Sequence, residues 1–323
     1  MSDGNGPTTP IHLGWTNVGL GFAFILFDVV LSSSFGLGIE RSLFTAAVRC
    51  VVQLSVVGVL LQQVFETKDP WAVGGIALLL NLLGTFEITG LVANKSKRRY
   101  DYMLPSVLIG LLGSTIPISI IGTKVAMSIE PFWEPVQYIP IVGMLCGNTI
   151  SGILVCVSFV LRELQENRDK IEIYLAFGAT RMEACKSIAR EALRLALTPL
   201  INQMSVIGII AIPGMMTGAI LGGASVQQAA RLQMIIMFMI AASTALASIF
   251  TTISVISITI DGEHRIRTDR IDESMFWMWR APERVLCKIM GFFKGVFRLS
   301  VKEKGYKTFS DERTPLLAGE SCG

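Results

Sequence analysis

Three charged residues lie inside long apolar stretches of this 323-residue chain: Asp28, Arg49 and Glu87. A charged side chain within a membrane-spanning helix is costly and usually marks a function or a partner. At a rise of about 1.5 Å per residue, Arg49 lies roughly 9 Å from the end of its stretch, with Glu87 at a similar depth and Asp28 somewhat nearer the same side. We predict that Arg49 forms an ion pair with Asp28 or Glu87, as a structural link or a gate. Gln53 lies one turn away, on the same face of the helix as Arg49. The alternative is that Arg49 extends its guanidinium to the membrane surface.

Soft metal ligands also lie within the apolar stretches. Thioethers select Cu(I) more than iron, although methionine is also a common filler of uneven cores. The methionines concerned are Met144, Met204, Met215, Met216, Met234, Met237 and Met239. Cys146 and Asn148, on either side of Gly147, are candidate polar residues of a translocation pathway. The six cysteines form no CxxC pair and the histidines number two, so neither a disulfide nor a zinc framework is expected.

The elements that must position these residues are membrane-spanning helices. The chain is 51% hydrophobic and only 16% charged, a composition typical of proteins embedded in a bilayer. Long uncharged windows alternate with short charged segments, which predicts an all-α polytopic membrane protein with seven transmembrane helices. The seven windows cover residues 13–31, 43–65, 71–93, 104–125, 136–161, 197–221 and 233–260.

The basic residues predict the orientation of these helices. Of the 28 Lys and Arg residues, Lys68, Lys124 and Arg231 fall at one set of helix ends and the other 25 at the opposite set. Because basic segments stay in the cytosol, the N-terminus is predicted to be outside or lumenal and the C-terminus cytosolic. The chain then divides into three parts: a lumenal or extracellular segment 1–12, a seven-helix domain 13–260 and a cytosolic tail 261–323.

A charged segment, residues 162–196, separates the fifth and sixth windows on the predicted cytosolic side. Gly178 suits the left-handed residue that ends a helix. Thr180, with Glu183 three residues later, suits a capping box that begins the next helix. The segment therefore predicts two helices separated by a short turn. A solvated helical hairpin without further function is the alternative interpretation of this pattern.

This segment resembles the cytosolic coupling segment of ABC-transporter permeases. The matching residues are Glu172, Leu175, Gly178, Ala179, Thr180 and Ala184. The flanking helices resemble one family, the bacterial iron-export ABC permeases of the FetB type and the plant aluminium-tolerance permease-like proteins. Matching positions there include Pro140, Gly143, Gly147, Asn148, Pro199, Pro213, Gly214, Met216, Gly218 and Gln233. The second window is similar through Arg49, Gln53 and Gly58, whereas Asn202 and Ser205 replace an Asp and a Lys that are frequent in the family.

The resemblance implies a permease subunit of an ABC-type transporter, forming a homodimer that moves a metal ion, iron most of all, out of the cytosol. The chain has no GxxxxGK[ST] motif, so we expect no enzyme activity and no cofactor in this chain, with ATP used by a separate ATPase subunit. No nucleic-acid partner is expected. The ATPase is predicted to couple through Glu172, Leu175, Phe177, Gly178, Ala179, Thr180 and Met182. The alternatives are UDP-sugar transport by the same architecture, or a seven-helix transporter or receptor outside the ABC class.

Small residues spaced four apart predict close helix packing or sliding in the membrane. Two rows have this spacing: Gly143, Gly147 and Ser151, and Gly214, Gly218 and Gly222. Pro213 also predicts a kinked or broken helix, which membranes tolerate where it lines protein or water. Translocation or gating roles are predicted for Asp28, Arg49, Gln53, Glu87, Cys146, Asn148, Asn202, Pro213, Gly214, Met216 and Gly218.

The tail carries two further signals. A basic amphipathic helix at about 284–302 is predicted to lie on the anionic inner leaflet, in contact with membrane lipid. The run ERTPLL at 312–317 resembles acidic dileucine sorting signals through Glu312, Leu316 and Leu317. A sorting adaptor that binds this run would direct the protein to a vacuolar or lysosome-like membrane rather than to the plasma membrane.

Overall fold

The fold is built from ten α-helices in the part of the chain that the computed structural model describes, residues 14–67, 69–96, 99–100, 102–260 and 271–272. The helices are α1 (Trp15–Ser34), α2 (Glu40–Thr67), α3 (Pro70–Ser96), α4 (Met103–Ile121), α5 (Pro135–Glu166), α6 (Arg168–Ala176), α7 (Arg181–Ala184), α8 (Lys186–Val206), α9 (Gly214–Leu221) and α10 (Val226–Thr259). A π-helical turn, Gly122–Ala126, extends α4. Strand β1 (Arg99–Tyr100) pairs antiparallel with β2 (Ile271–Asp272).

Six of the described helices are long and apolar enough to cross a membrane: α1, α2, α3, α4 with its π-helical turn, α5 and α10. They coincide with six of the seven apolar windows. The chain is therefore a helical integral membrane protein. Its orientation and its division at residues 12 and 260 stay predictions.

The sixth window, 197–221, is not one continuous helix, so the prediction of seven transmembrane helices is not confirmed. Helix α8 begins well before the window and ends at Val206, and α9 begins at Gly214. Gly208 has a φ of +88°, a conformation that side-chain-bearing residues rarely adopt. The amides of the next three residues, 209–211, all turn back to the Val206 carbonyl. The helix break predicted near Pro213 is therefore confirmed. It begins six residues before Pro213.

Helices α5 and α10 form the centre of the bundle. Gly152 on α5 allows their close approach, since a Cβ there would lie 2.4 Å from Thr244 Cγ2 on α10. The hydroxyls of Thr149 and Ser243 are hydrogen bonded across the same interface at 3.0 Å. On α4, Thr115 Oγ1 donates to Asn81 Oδ1 of α3 at 2.7 Å. Such interhelical hydrogen bonds contribute about 0.6 to 2 kcal/mol each in a membrane.

Helices α1 and α2 form a hairpin at the edge of this bundle. Ser32 is the one buried residue of α1, and the rings of Phe22 and Phe44 join the two helices edge to face with centroids 5.9 Å apart. The C-terminal half of α2 packs on α3 and α5 through Leu61 and Phe65. Apolar packing therefore holds the C-terminal half of α2, and an ion pair described below holds its N-terminal half.

Candidate functional site

A glycine turn and a threonine cap shape the predicted coupling segment. At the end of α6, Gly178 has a φ of +90°, and the Ala179 amide donates to the Tyr174 carbonyl at 3.1 Å. Thr180 then caps α7, because its hydroxyl accepts from the Glu183 amide while the Glu183 carboxylate accepts from the Thr180 amide at 2.9 Å. Both the glycine stop and the capping box predicted from the sequence are confirmed. The turn is consequently rigid, since both helix ends are satisfied locally.

The capping box also fixes the charge of Glu183. Hydrogen bonds from the Thr180 hydroxyl and amide lower the pKa of the Glu183 carboxyl below its ordinary 4.5. A lowered folded-state pKa contributes stability that is present at neutral pH and is lost as the pH falls through that pKa. The box is therefore complete at neutral pH.

One face of the segment is buried in the helical bundle. Ile171, Leu175, Ala184 and Cys185 all belong to the main apolar cluster. Leu175 is only 2% exposed, so the structure removes it from the predicted docking surface. Burial also raises the pKa of the Cys185 thiol to about 11, which keeps it protonated at neutral pH.

The segment also exposes large apolar side chains. Phe177 is 88% exposed, and Ile173, Tyr174 and Met182 are exposed as well. Exposed apolar and aromatic groups gathered on a soluble surface are typical of a protein interface. We call these four residues the coupling surface. Sequence reasoning missed Ile173 and Tyr174 as surface residues, although their offset from Ile171 and Leu175 on a helix was the available signal.

Two other predicted coupling residues have local roles. Glu172 forms an ion pair with Arg168 one turn earlier on α6, at 2.7 Å. Ala179 is half-buried against the bundle. Docking roles for both residues stay predictions.

A cavity of about 200 Å³ opens beside the coupling surface. Its wall includes Tyr174 of that surface, Phe159 of α5 and Ile188 of α8, and the carboxylates of Glu163 and Glu191. The segment therefore offers both projecting side chains and an adjoining cavity with apolar and charged parts, since Lys170 also lines it.

The second candidate feature is an ion pair within the membrane. Arg49 Nη1 of α2 donates to Glu87 Oε1 of α3 at 2.9 Å, and Nη2 bonds to Oε2, so the contact is bidentate. The prediction of an Arg49 ion pair is confirmed with Glu87 as the partner, whereas Asp28 lies exposed on α1. This pair ties the N-terminal half of α2 to the bundle. Gln53 is exposed one turn away.

The other predicted pathway residues do not form one group. Cys146 is buried between α3 and α5 beside Val73 and Tyr138, and Asn148 donates to the Met144 carbonyl at 2.9 Å. Asn202, Gly214 and Gly218 are exposed, while Pro213 and Met216 are half-buried. Among the described residues, no three His, Cys, Asp or Glu side chains are grouped as metal ligands. Translocation roles for these residues stay predictions.

The tail signals, the amphipathic helix at about 284–302 and the dileucine run at 312–317, lie outside the described residues, as does the N-terminal segment 1–12.

A family model, that of the uncharacterised protein family UPF0014, matches residues 15–259 and so covers all ten described helices. The chain belongs to the UPF0014 family. Three relatives show the breadth of the match. The rice (Oryza sativa subsp. japonica) UPF0014 membrane protein STAR2 is 32% identical over 232 residues, which is 71% of this chain and 78% of the relative. Protein ALUMINUM SENSITIVE 3 of Arabidopsis thaliana is 31% identical over 232 residues, 71% of this chain and 81% of the relative.

The third relative carries a functional name. The probable iron export permease protein FetB of Escherichia coli (strain K12) is 26% identical over 236 residues, 72% of this chain and 88% of the relative. The family resemblance inferred from the residues is therefore confirmed, and this UPF0014 protein belongs to a membrane-protein family with a member named as a permease. No solved structure matches the chain.

Proposed function

We propose that this UPF0014 protein is the membrane permease subunit of an ABC-type transporter that moves a metal ion, iron most of all, out of the cytosol. The observation that carries the proposal is the coupling segment, in which a capped, rigid turn presents an exposed apolar surface on a membrane protein. The excess of basic residues at this end of the helices favours the cytosol. Similarity to a protein named as a probable iron export permease supports the choice of iron and the outward direction.

Helix α8 connects the coupling segment to the membrane interior. It is assigned as one helix of 21 residues, Lys186–Val206, with Pro199 inside it, a length of about 31 Å at 1.5 Å per residue. It begins immediately after α7 and ends at the break before α9. A displacement of the coupling surface by an ATPase would therefore be transmitted along α8 to the broken segment, where glycines allow the backbone to change conformation.

The proposed transporter needs two kinds of partner. A separate ATPase subunit would bind the coupling surface and hydrolyse ATP, and a second copy of this chain would complete the pathway. Gly214 and Gly218 of α9, and Gly143 and Gly147 of α5, have open space where a Cβ would project. Close approach of a second set of helices would suit these rows.

Co-purification tests the ABC assignment. The full chain, solubilised in a mild detergent, should retain an ATPase that mass spectrometry identifies, and the Phe177→Asp variant should lose it. Phe177→Leu, which keeps an apolar side chain, should retain it. Absence of any ATPase from all three preparations would overturn the assignment.

Vesicle transport tests the substrate. Sealed vesicles that contain the protein and its ATPase should accumulate radioactive iron when ATP is supplied, and labelled UDP-glucose should not accumulate. ATP-dependent accumulation of UDP-glucose without iron would replace the metal by a nucleotide sugar.

A further inference from the structure

A methionine-rich cluster lies where α5, α8, α9 and α10 meet. Six of the 14 methionines of the chain belong to it. They come from five separate parts of the sequence: Met127 after α4, Met144 on α5, Met204 on α8, Met215 on α9, and Met237 and Met239 on α10. Two methionines that the sequence grouped with these, Met216 and Met234, are not members. Tertiary structure, not sequence proximity, therefore concentrates the thioethers.

The six members do not have the same environment. The side chain of Met239 fills the space above Gly122, where a Cβ would lie 2.3 Å from its Sδ, so Met239 serves packing. Met144, Met204 and Met215 are only partly buried, and Met237, a member of the same cluster, is buried. Partly buried thioethers are open to a ligand in a way that a sealed core side chain is not.

A buried polar side chain lies on α10 one turn from a member of the cluster. Gln233 is 7% exposed, and its Oε1 has no hydrogen-bond partner among the described residues. It lies on α10 one turn before Met237, so both side chains share a helix face. A buried amide oxygen without a donor needs an explanation, and a bound cation is one. Both this oxygen and the thioether sulfurs of the cluster have lone pairs that can bind a cation.

The chemistry of these donors selects the ligand. Thioether sulfur is soft and an amide oxygen is neutral, and the described residues contain no group of three or more His, Cys, Asp or Glu side chains that could hold a metal ion. Neutral donors leave the charge of a bound ion uncompensated, which penalises a divalent ion more than a monovalent one. We infer that Met144, Met204, Met215 and Met237, with the Gln233 carbonyl oxygen, form a binding site for a monovalent thiophilic cation, Cu(I) or its analogue Ag(I).

The site flanks the break between α8 and α9. Met204 lies in the last turn of α8 and Met215 in the first turn of α9. Interrupted helices frequently line ligand sites in membrane transporters. The inference goes beyond the proposed iron export and does not depend on it, because a protein that moves no iron would still bind Ag(I) here.

Silver titration tests the site. The full chain is purified in detergent, its accessible thiols are alkylated with N-ethylmaleimide, and Ag(I) binding is followed by isothermal titration calorimetry. The Met144→Leu/Met204→Leu variant should bind Ag(I) at least about tenfold more weakly. The matched control, Met216→Leu/Met234→Leu, should bind like the unaltered protein. Leucine keeps the apolar volume, and both variants carry the same cysteines, so the difference reports the cluster thioethers.

Two further measurements complete the test. Gln233→Leu should weaken Ag(I) binding while leaving the melting temperature of the metal-free protein unchanged or higher, because it removes an unpaired buried oxygen. Fe(II) at the same concentration should not displace Ag(I). Equal Ag(I) affinity in the two double variants, or displacement by Fe(II), would overturn the site. Iron uptake into vesicles is measured separately, so failure of iron export leaves this result unaffected.

Discussion

At the scale of single residues, the Arg49–Glu87 pair and the Thr180–Glu183 capping box hold the two candidate features in place. The first joins an edge helix to the bundle where apolar packing is thin. The second begins α7 immediately after the turn that ends α6. Both use charge-assisted hydrogen bonds, which are stronger and more directional than neutral ones.

Removing Arg49 should destabilise the protein. Arg49→Ala leaves Glu87 without its partner inside the membrane, and the cost should approach about 3 kcal/mol unless the carboxyl takes up a proton. Glu87→Gln combined with Arg49→Ala should restore folded yield, measured by size-exclusion chromatography in detergent. Asp28→Asn combined with Arg49→Ala should not. Rescue by the Asp28 variant instead would show that the functional pairing differs from the one described.

Removing the cap should loosen α7. Thr180→Ala deletes the hydroxyl that accepts from the Glu183 amide, and the loss of such a cap costs about 1 kcal/mol. Hydrogen exchange of residues 181–185 should then become faster, while Thr180→Ser should preserve protection. In the unaltered protein, protection should fall as the pH drops below 4.5, because the lowered pKa of Glu183 makes its contribution vanish on protonation. Unchanged exchange in Thr180→Ala would show that tertiary packing alone fixes this turn.

At the scale of elements, the coupling segment has two faces and α8 connects it to the membrane. Ile171 and Leu175 anchor α6 in the bundle, while Tyr174 and Phe177 project away from it. Because α8 follows α7 with a single residue between them, motion of the surface and motion of the helix are mechanically linked. The segment therefore combines anchorage and exposure, which a docking lever requires.

The two faces should respond differently to the same substitution. Phe177→Asp changes an exposed side chain, so membrane insertion and melting temperature should stay normal while ATPase association is lost. Leu175→Asp places an unpaired charge in the core and should lower the folded yield itself, a cost of several kcal/mol. Comparison of thermal melting with co-purification separates the two effects. Normal ATPase association with Phe177→Asp and Tyr174→Asp together would exclude the coupling surface as the docking site.

At the scale of the whole molecule, six continuous helices are long and apolar enough to span a membrane, and the remaining apolar window is split into α8 and α9. Both halves of the split window expose residues, and α9 has no buried residue. Irregular backbone at membrane depth is tolerated where protein or water covers it. The architecture is therefore consistent with the proposed assembly of two copies around a pathway.

The subcellular location of the protein should depend on its tail. The proposed location is a vacuolar or lysosome-like membrane, with iron moved from the cytosol into the lumen. Leu316→Ala/Leu317→Ala, in a fluorescently tagged full chain, should redirect the protein to the plasma membrane, since an adaptor recognises the pair of leucines. Glu320→Ala, just beyond the run, is the control and should not. An unchanged location of the double variant would show that another segment carries the sorting signal.

The sequence by itself determined the membrane class, the approximate limits of six helices, the Gly178 stop, the Thr180 cap and the family. Each of these follows from local chemistry: hydropathy over a window, the left-handed preference of glycine, a hydroxyl three residues from a carboxylate. Only the tertiary structure decided that Arg49 pairs with Glu87, that Leu175 is inside while Tyr174 is outside, and which methionines meet. The physical reason is that lipid and protein core are both apolar, so hydropathy does not fix how a helix is rotated about its axis or which distant segment it faces. That choice is made by packing between segments far apart in the chain, as where Gly152 admits Thr244.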